Sequence, residues 1–322
     1  MSENPTSPAP PAPTDGPSPT NPAPEDGPIV AADDDRIASS STSLASSILQ
    51  HRIENGRTYH KCKDGKYPFP NDEKESDRLD LQHNIYLLTL NYKLGLAPPN
   101  ENLKAQRVLD LGTGTGLWAI DFGDEHPEAE VVGVDLTPVP TAFVPPNVKF
   151  EVDDFEEPWT YSQPFDYIYI RGLSGSVADW GKFFKKAYDH LTPGGYIELF
   201  EGHMRPDCDD GTLTSESALM RWVDKVEEAS KIFGRPYRRS RPVKYKWPVS
   251  PWPKDPYYKE LGEWCLENFM EGLEAWSLGA FTRALNWTKE EVQVRNELKD
   301  RRIHAYSPLW VIYARRPIEK EE

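Results

Sequence analysis

Val108-Leu109-Asp110-Leu111-Gly112-Thr113-Gly114-Thr115-Gly116 carries a short apolar run into three glycines on alternate positions. Arg107–Leu111 reads as a strand and Gly116–Asp124 as a helix, which is the setting of a nucleotide-cradling turn. Glycines there let the backbone turn tightly and approach a ligand where a Cβ would collide. The spacing Gly-x-Gly-x-Gly is one residue short of the dinucleotide fingerprint. Asp110 stands two residues before the first glycine. A carboxylate at that point repels a pyrophosphate and suits the ammonium of a methionine moiety. Asp110, Gly112, Thr113 and Gly114 are therefore candidate cofactor-binding residues.

Working outward, strands and helices alternate. Val131–Asp135, Val148–Val152 and Phe165–Arg171 read as strands, Trp180–Leu191 as a helix stopped by Pro193-Gly194-Gly195, and Tyr196–Glu201 as a fifth strand. Such alternation argues for a mostly parallel sheet with helices on both faces. Thr137–Asn147 carries four prolines, so its crossover is not expected to be a full helix. Asp135 ends the second strand, where an acidic residue takes ribose hydroxyls in nucleotide-binding α/β folds. Asp153-Asp154-Phe155 follows the third strand, placed to meet an adenine amine and ring; for Asp153 a solvated acidic turn is an equal reading.

Upstream, Asp72–Asn91 is expected to be a helix with Asn71 as its N-cap and Leu79, Ile85, Leu87, Leu88 and Leu90 on its apolar face. Downstream, Ser215–Phe233 places Ala218, Leu219, Trp222, Val223, Val226 and Ala229 at helical spacing. A helical block over about Pro256–Asp300 precedes a last strand, Leu309–Ala314.

Residues 1–44 are rich in Pro, Ser and Ala, and the first aromatic residue of the chain is Tyr59. Such a segment cannot bury enough apolar area to offset the entropy of ordering, so a disordered tail is expected before a domain spanning 45–322. The net charge of −15 disfavours attraction to phosphate backbones, so no nucleic-acid partner is expected, although a local basic patch is compatible with that total. Cys62, Cys208 and Cys265 form no Cys-x-x-Cys pair, so neither a disulfide framework nor a metal site is indicated. With no signal-peptide pattern and no bilayer-length apolar run, the expected compartment is the cytosol, with the nucleus left open and no membrane partner.

In this order the residues resemble the seven-strand S-adenosylmethionine (SAM)-dependent methyltransferases. More narrowly, the chain is similar to the fungal LaeA-like methyltransferases of secondary metabolism. The resemblance rests on Glu54 to His60, Pro70 to Glu73, Asp77 to His83, Val108 to Asp121, Asp179-Trp180, Leu191 to Tyr196 and Pro251 to Asp255. It implies a Rossmann-like α/β fold with sheet order 3-2-1-4-5-7-6, N-terminal helices, a SAM-binding core over 107–201 and a helical lid or insertion over 250–300. It also implies SAM as cofactor. One stretch departs from the family: Tyr237–Lys244, with Arg238, Arg239, Arg241 and Lys244, stands where relatives carry a helix and the start of the sixth strand. Apolar sheet surface near the sixth and seventh strands is expected to be left uncovered.

Methyl transfer from a sulfonium is an in-line displacement, governed mostly by positioning in a dry pocket. A base is needed only for a poorly ionised acceptor. His83, in the matching Leu81-Gln82-His83 segment, and Glu201, ending the fifth strand, are the catalytic candidates, although a lone His on an amphipathic helix is usually structural. Arg171, at the end of the fourth strand, is expected to orient a carboxylate of cofactor or substrate. Tyr59, Trp252 and Trp276 are the candidate substrate contacts; core packing is the blander role for the tryptophans. The expected activity is methyl transfer to a small-molecule acceptor. The alternative is a SAM-binding regulatory subunit acting through a protein partner. An NAD(P) oxidoreductase is disfavoured by the glycine spacing, by Asp110 and by the lack of a Tyr-x-x-x-Lys pair.

Overall fold

The computed structural model describes residues 51–60, 69–101, 103–139, 143–235, 244–281, 285 and 291–318. The tail at 1–44 and all of the departure Tyr237–Lys244 except Lys244 lie outside them. The central sheet has eight strands: β3 (Arg107–Leu111), β4 (Glu130–Asp135), β5 (Val148–Val152), β6 (Phe165–Arg171), β7 (Leu191–Gly202), β8 (Asp207–Cys208), β9 (Tyr245–Pro248) and β10 (Ala305–Arg315). Their order is β5-β4-β3-β6-β7-β10, with β8 and β9 both pairing with β10. Strands β3 to β7 run parallel, and β10 runs antiparallel to β7 and β9. This is the 3-2-1-4-5-7-6 order that the resemblance implied, with β9 as sixth strand and β8 as an addition.

Period-two alternation explains the layers. Val108, Tyr167 and Tyr169 face helix α2 (Leu117–Glu125), where Trp118 stacks on Tyr169 at 3.9 Å between ring centroids. Leu109, Ile168 and Ile170 face the opposite layer, where helix α3 (Trp180–Asp189) contributes Phe183 and Ala187. Asp179 caps α3 by accepting from the amides of Gly181 and Lys182. Between Thr137 and Asn147 the described residues form no helix, as the prolines required.

Before the sheet come a hairpin and a helix. β1 (His51–Glu54) and β2 (Arg57–His60) turn at Asn55-Gly56, whose φ values of 52° and 78° are those of a two-residue turn matched to strand twist. The expected N-terminal helices are thus, among the described residues, a hairpin and one helix, α1 (Glu73–Thr89). Its N-cap is Asp72, whose carboxylate accepts from the Glu75 amide at 3.1 Å; the expected cap, Asn71, instead accepts from Thr58 Oγ1. The shift has a cause. Asp72 is clamped by Arg57, with Nε to Oδ2 at 2.5 Å, which draws its side chain into the capping position. The residues α1 buries are largely polar: Glu75, Arg78, His83, Tyr86 and Thr89 beside Ile85, while Leu79, Leu87 and Leu88 are half-buried. A helix whose buried face carries ionisable groups is lining something.

Helix α4 (Ala218–Ile232) starts at the Ser217 cap and buries the six expected residues. The helical block resolves into α5 (Pro256–Ala280), capped by Asp255, and α6 (Glu291–Lys299). α5 packs against α1 and β9, so of the uncovering expected near the sixth and seventh strands the sixth shows none. Trp247 of β9 and Leu309 of β10 are buried with Ile85, Tyr86 and Leu261. Strongly exposed apolar side chains on these two strands are Ile312 and Tyr313 of β10. No helix of the described residues is long and apolar enough to cross a membrane.

Candidate functional site

The site lies along the C-terminal ends of β3, β4, β6 and β7, where open parallel sheets place their ligand crevices. Gly112, Gly114 and Gly116 adopt φ of 70°, 60° and 83°, and a Cβ on Gly112 would run into Leu173. Only glycine holds this turn without strain. Thr113 is buried, and its hydroxyl donates to Asp110 Oδ2 at 2.6 Å. Burial pushes the Asp110 carboxyl up to about 6.

Asp135 clips the loop to the next strand. Its Oδ2 accepts from the Gly114 amide and its Oδ1 from the Thr137 amide, each at 2.9 Å. Burial raises its pKa, against these two hydrogen bonds. Thr137 also bonds Nε2 of His60 at 2.7 Å, bringing the end of the N-terminal hairpin over the end of β4. Neighbouring Tyr59 is 1% exposed, a core residue of that hairpin rather than a wall open to solvent.

After β5, the Asp153 amide donates to the Asp135 carbonyl at 3.1 Å, and its own carboxylate accepts from the Asp154 amide. Asp154 accepts from the Glu156 amide at 2.8 Å, and Phe155 sets its ring edge-on to Phe183 at 5.8 Å. The three residues form a compact turn next to Asp135.

Arg171 ends β6 between two groups of α1. Its Nη2 lies 3.0 Å from Nδ1 of His83, and its guanidinium carbon lies 4.5 Å over the Tyr86 ring. His83 Nε2 bonds Asp121 Oδ2 of α2 at 2.8 Å. Arginine only donates, so Nδ1 of His83 must be the acceptor and Nε2 must carry the hydrogen given to Asp121. Burial lowers the pKa of His83 and the Arg171 charge adds to that, with Asp121 opposing. Both ring nitrogens of this catalytic candidate are therefore engaged.

Glu201, the other candidate, is 1% exposed and holds the loop after β6. It accepts from the Leu173 amide at 2.6 Å and from the Ser174 amide and hydroxyl at 3.0 and 2.6 Å. Burial raises it to about 7 even so.

Trp276 packs beside Trp222 and Phe269 and lies 5.4 Å from the Arg78 guanidinium. Arg78 is paired with Glu75 and donates to Gln82 and Asn268, so Trp276 reaches α1 through that buried network. Trp252 ties its indole N–H to the Ala305 carbonyl at 2.9 Å and sits beside His304, at the start of β10.

The structure thus brings together Asp110, Gly112, Thr113, Gly114, Asp135, Arg171 and His83, with Glu201 behind the β6 loop. It adds residues sequence reasoning missed. Tyr86 is three residues beyond His83 on the same helix face, a spacing that could have flagged it. Asp121 falls inside the stretch that carried the family resemblance, and His60 closes the N-terminal one. The described residues hold no group of three or more His, Cys, Asp or Glu side chains arranged for a metal.

Comparison with known proteins gives the family. A family model described as a methyltransferase domain matches residues 81–235. Methyltransferase pytC of Aspergillus terreus is 41% identical over 301 residues, covering 87% of this chain and 92% of that protein. Secondary metabolism regulator LAE1 of Cochliobolus heterostrophus is 38% identical, over 82% of this chain and 94% of its own length. Protein-methionine methyltransferase laeA of Emericella nidulans is 34% identical, over 84% of this chain and 77% of its own length.

Proposed function

The chain belongs to the LaeA-like methyltransferases, and on that premise we propose that it binds SAM along Asp110, the Gly112–Gly116 turn and Asp135 to methylate a small-molecule acceptor of secondary metabolism. The observation that carries the cofactor reading is the pairing of opposite charges at one end of a glycine turn. Asp110 is buried beside the turn, and Arg171 stands close enough to lower its pKa without an ion pair between them. An α-amino acid zwitterion fits between such groups, its ammonium toward Asp110 and its carboxylate toward Arg171. A pyrophosphate does not.

When bound, SAM supplies a methyl group on a positively charged sulfur. The chain's residues then have positional work. Asp135 takes ribose hydroxyls, the Asp153–Phe155 turn lies against the adenine, and Arg171 fixes the amino-acid end. His83, with both nitrogens engaged, is assigned to holding Arg171, and Glu201 to holding the loop after β6. His83 has both ring nitrogens engaged and Glu201 is committed to the loop after β6, so we read the reaction as driven by alignment. Tyr59 is assigned to the core of the N-terminal hairpin, Trp276 to the packing around α1, and Trp252 to anchoring β10.

LAE1, a secondary metabolism regulator, and laeA, a protein-methionine methyltransferase, favour a second reading, in which the acceptor is a protein or the chain acts as a regulatory subunit. Purified protein given methyl-labelled SAM and a fungal metabolite extract, or a matching protein extract, separates them. Label in a small molecule supports the first reading. Label only in protein supports the second, and no label with either extract counts against both acceptor assignments.

A further inference from the structure

Asp121 sits on α2 and is joined to Arg171 through one imidazole. The chain of contacts is short: Asp121 Oδ2 to His83 Nε2 at 2.8 Å, and His83 Nδ1 to Arg171 Nη2 at 3.0 Å. An imidazole that accepts at Nδ1 must be the Nε2–H tautomer, and the tautomer of a ring is fixed by what its other nitrogen meets. A carboxylate can only accept, so Asp121 enforces Nε2–H. Arg171 is further confined by the Tyr86 ring beneath its plane, and Tyr86 is itself wedged edge-on against Phe200 at 4.6 Å and Trp247 at 5.0 Å.

We propose that Asp121 and His83 are positioning residues that lock the histidine tautomer so that Arg171 is held, against Tyr86, in the orientation that grips the carboxylate of the cofactor's methionine end. This rests on the SAM reading above and deepens it. His83 is 5% exposed, so its ring nitrogens are largely shielded from water. A guanidinium that lost its Nδ1 acceptor would keep its charge but not its direction. Asp121 would thereby tune recognition of a carboxylate that it never touches. Arginine's fork geometry makes such recognition direction-dependent in a way a lysine's would not be.

The test uses the full chain, with S-adenosylhomocysteine and decarboxylated SAM as calorimetric probes, the second lacking the carboxylate. Asp121→Asn is nearly isosteric, but its amide can donate to Nε2 and so favour the Nδ1–H tautomer, which turns a donor toward Arg171. The expected result is a loss of roughly tenfold or more in S-adenosylhomocysteine affinity, the scale of one hydrogen bond to a charged group. Decarboxylated SAM should bind both proteins alike. Imidazole ¹⁵N shifts of His83 should report Nε2–H in the native chain and a shift toward Nδ1–H in the variant. His83→Asn, whose amide oxygen can replace Nδ1 as acceptor, should retain more S-adenosylhomocysteine affinity than His83→Ala. Equal losses for both probes, or a changed tautomer with unchanged S-adenosylhomocysteine binding, would overturn the proposal. Failure of native protein to bind S-adenosylhomocysteine at all would instead count against the SAM reading.

Discussion

Asp135 accepts the Gly114 amide on one carboxylate oxygen and the Thr137 amide on the other, each at 2.9 Å. One side chain therefore ties the glycine turn of β3 to the end of β4. The same carboxylate is the group assigned to the ribose, so cofactor binding and the shape of the turn are coupled.

Acid should weaken the cofactor through Asp110. Its carboxyl, raised to about 6 by burial, is protonated in the unliganded protein below that value. An ammonium beside it needs the ionised form, so binding must expel the proton. SAM affinity should fall as pH drops through this region, approaching about tenfold per unit. Asp110→Asn should bind weakly and lose most of this pH dependence. Calorimetry in buffers of different ionisation enthalpy measures the released proton directly; release of none at pH 5.5 would speak against the assignment.

Glu201 should govern the loop after β6. Alanine there strips partners from the Leu173 and Ser174 amides and the Ser174 hydroxyl, a cost on the order of 3 kcal/mol for buried groups. Faster hydrogen exchange at those two amides would localise the effect. The pH sign is fixed by the raised pKa of about 7. The folded state holds a proton that the unfolded chain has released, so this group's contribution is full below about pH 4.5 and declines as pH rises through 7. Glu201→Gln should flatten that stretch of the stability curve, and an unchanged slope would show that another group sets it.

Removing residues 1–44 should change neither melting temperature nor SAM affinity. The segment has no aromatic residue and little that could join a core. Scanning calorimetry of full and shortened chains decides it, and a melting temperature lower by several degrees would mean that the tail packs on the domain.

The fold was legible because its signals are local. The turn from Asp110 to Gly116 and the strand runs Arg107–Leu111, Val148–Val152 and Phe165–Arg171 declare themselves over a few residues, and all three strands have the bounds that the apolar pattern set. The hairpin at Asn55-Gly56 was equally local, but strand–helix alternation directs attention away from an antiparallel pair. Roles within the site were harder to read. His83 and Glu201 are ionisable groups at plausible positions, and nothing in their neighbours along the chain says that Arg171, 88 residues from His83, or the Leu173 and Ser174 amides will occupy them. Tyr86 and Asp121 matter only through partners on other elements. The cap at Asp72 rather than Asn71 has the same origin, a long-range clamp from Arg57.

The most direct test of the central claim is a calorimetric titration of the purified chain and its Asp135→Ala variant with SAM and with NAD(H). The account predicts one SAM site in the native chain and no heat from NAD(H). In the variant, SAM should bind about 1–3 kcal/mol more weakly, the cost of leaving ribose hydroxyls and the Gly114 and Thr137 amides without their acceptor. Nicotinamide binding tighter than SAM, or full SAM affinity without the Asp135 carboxylate, would contradict it.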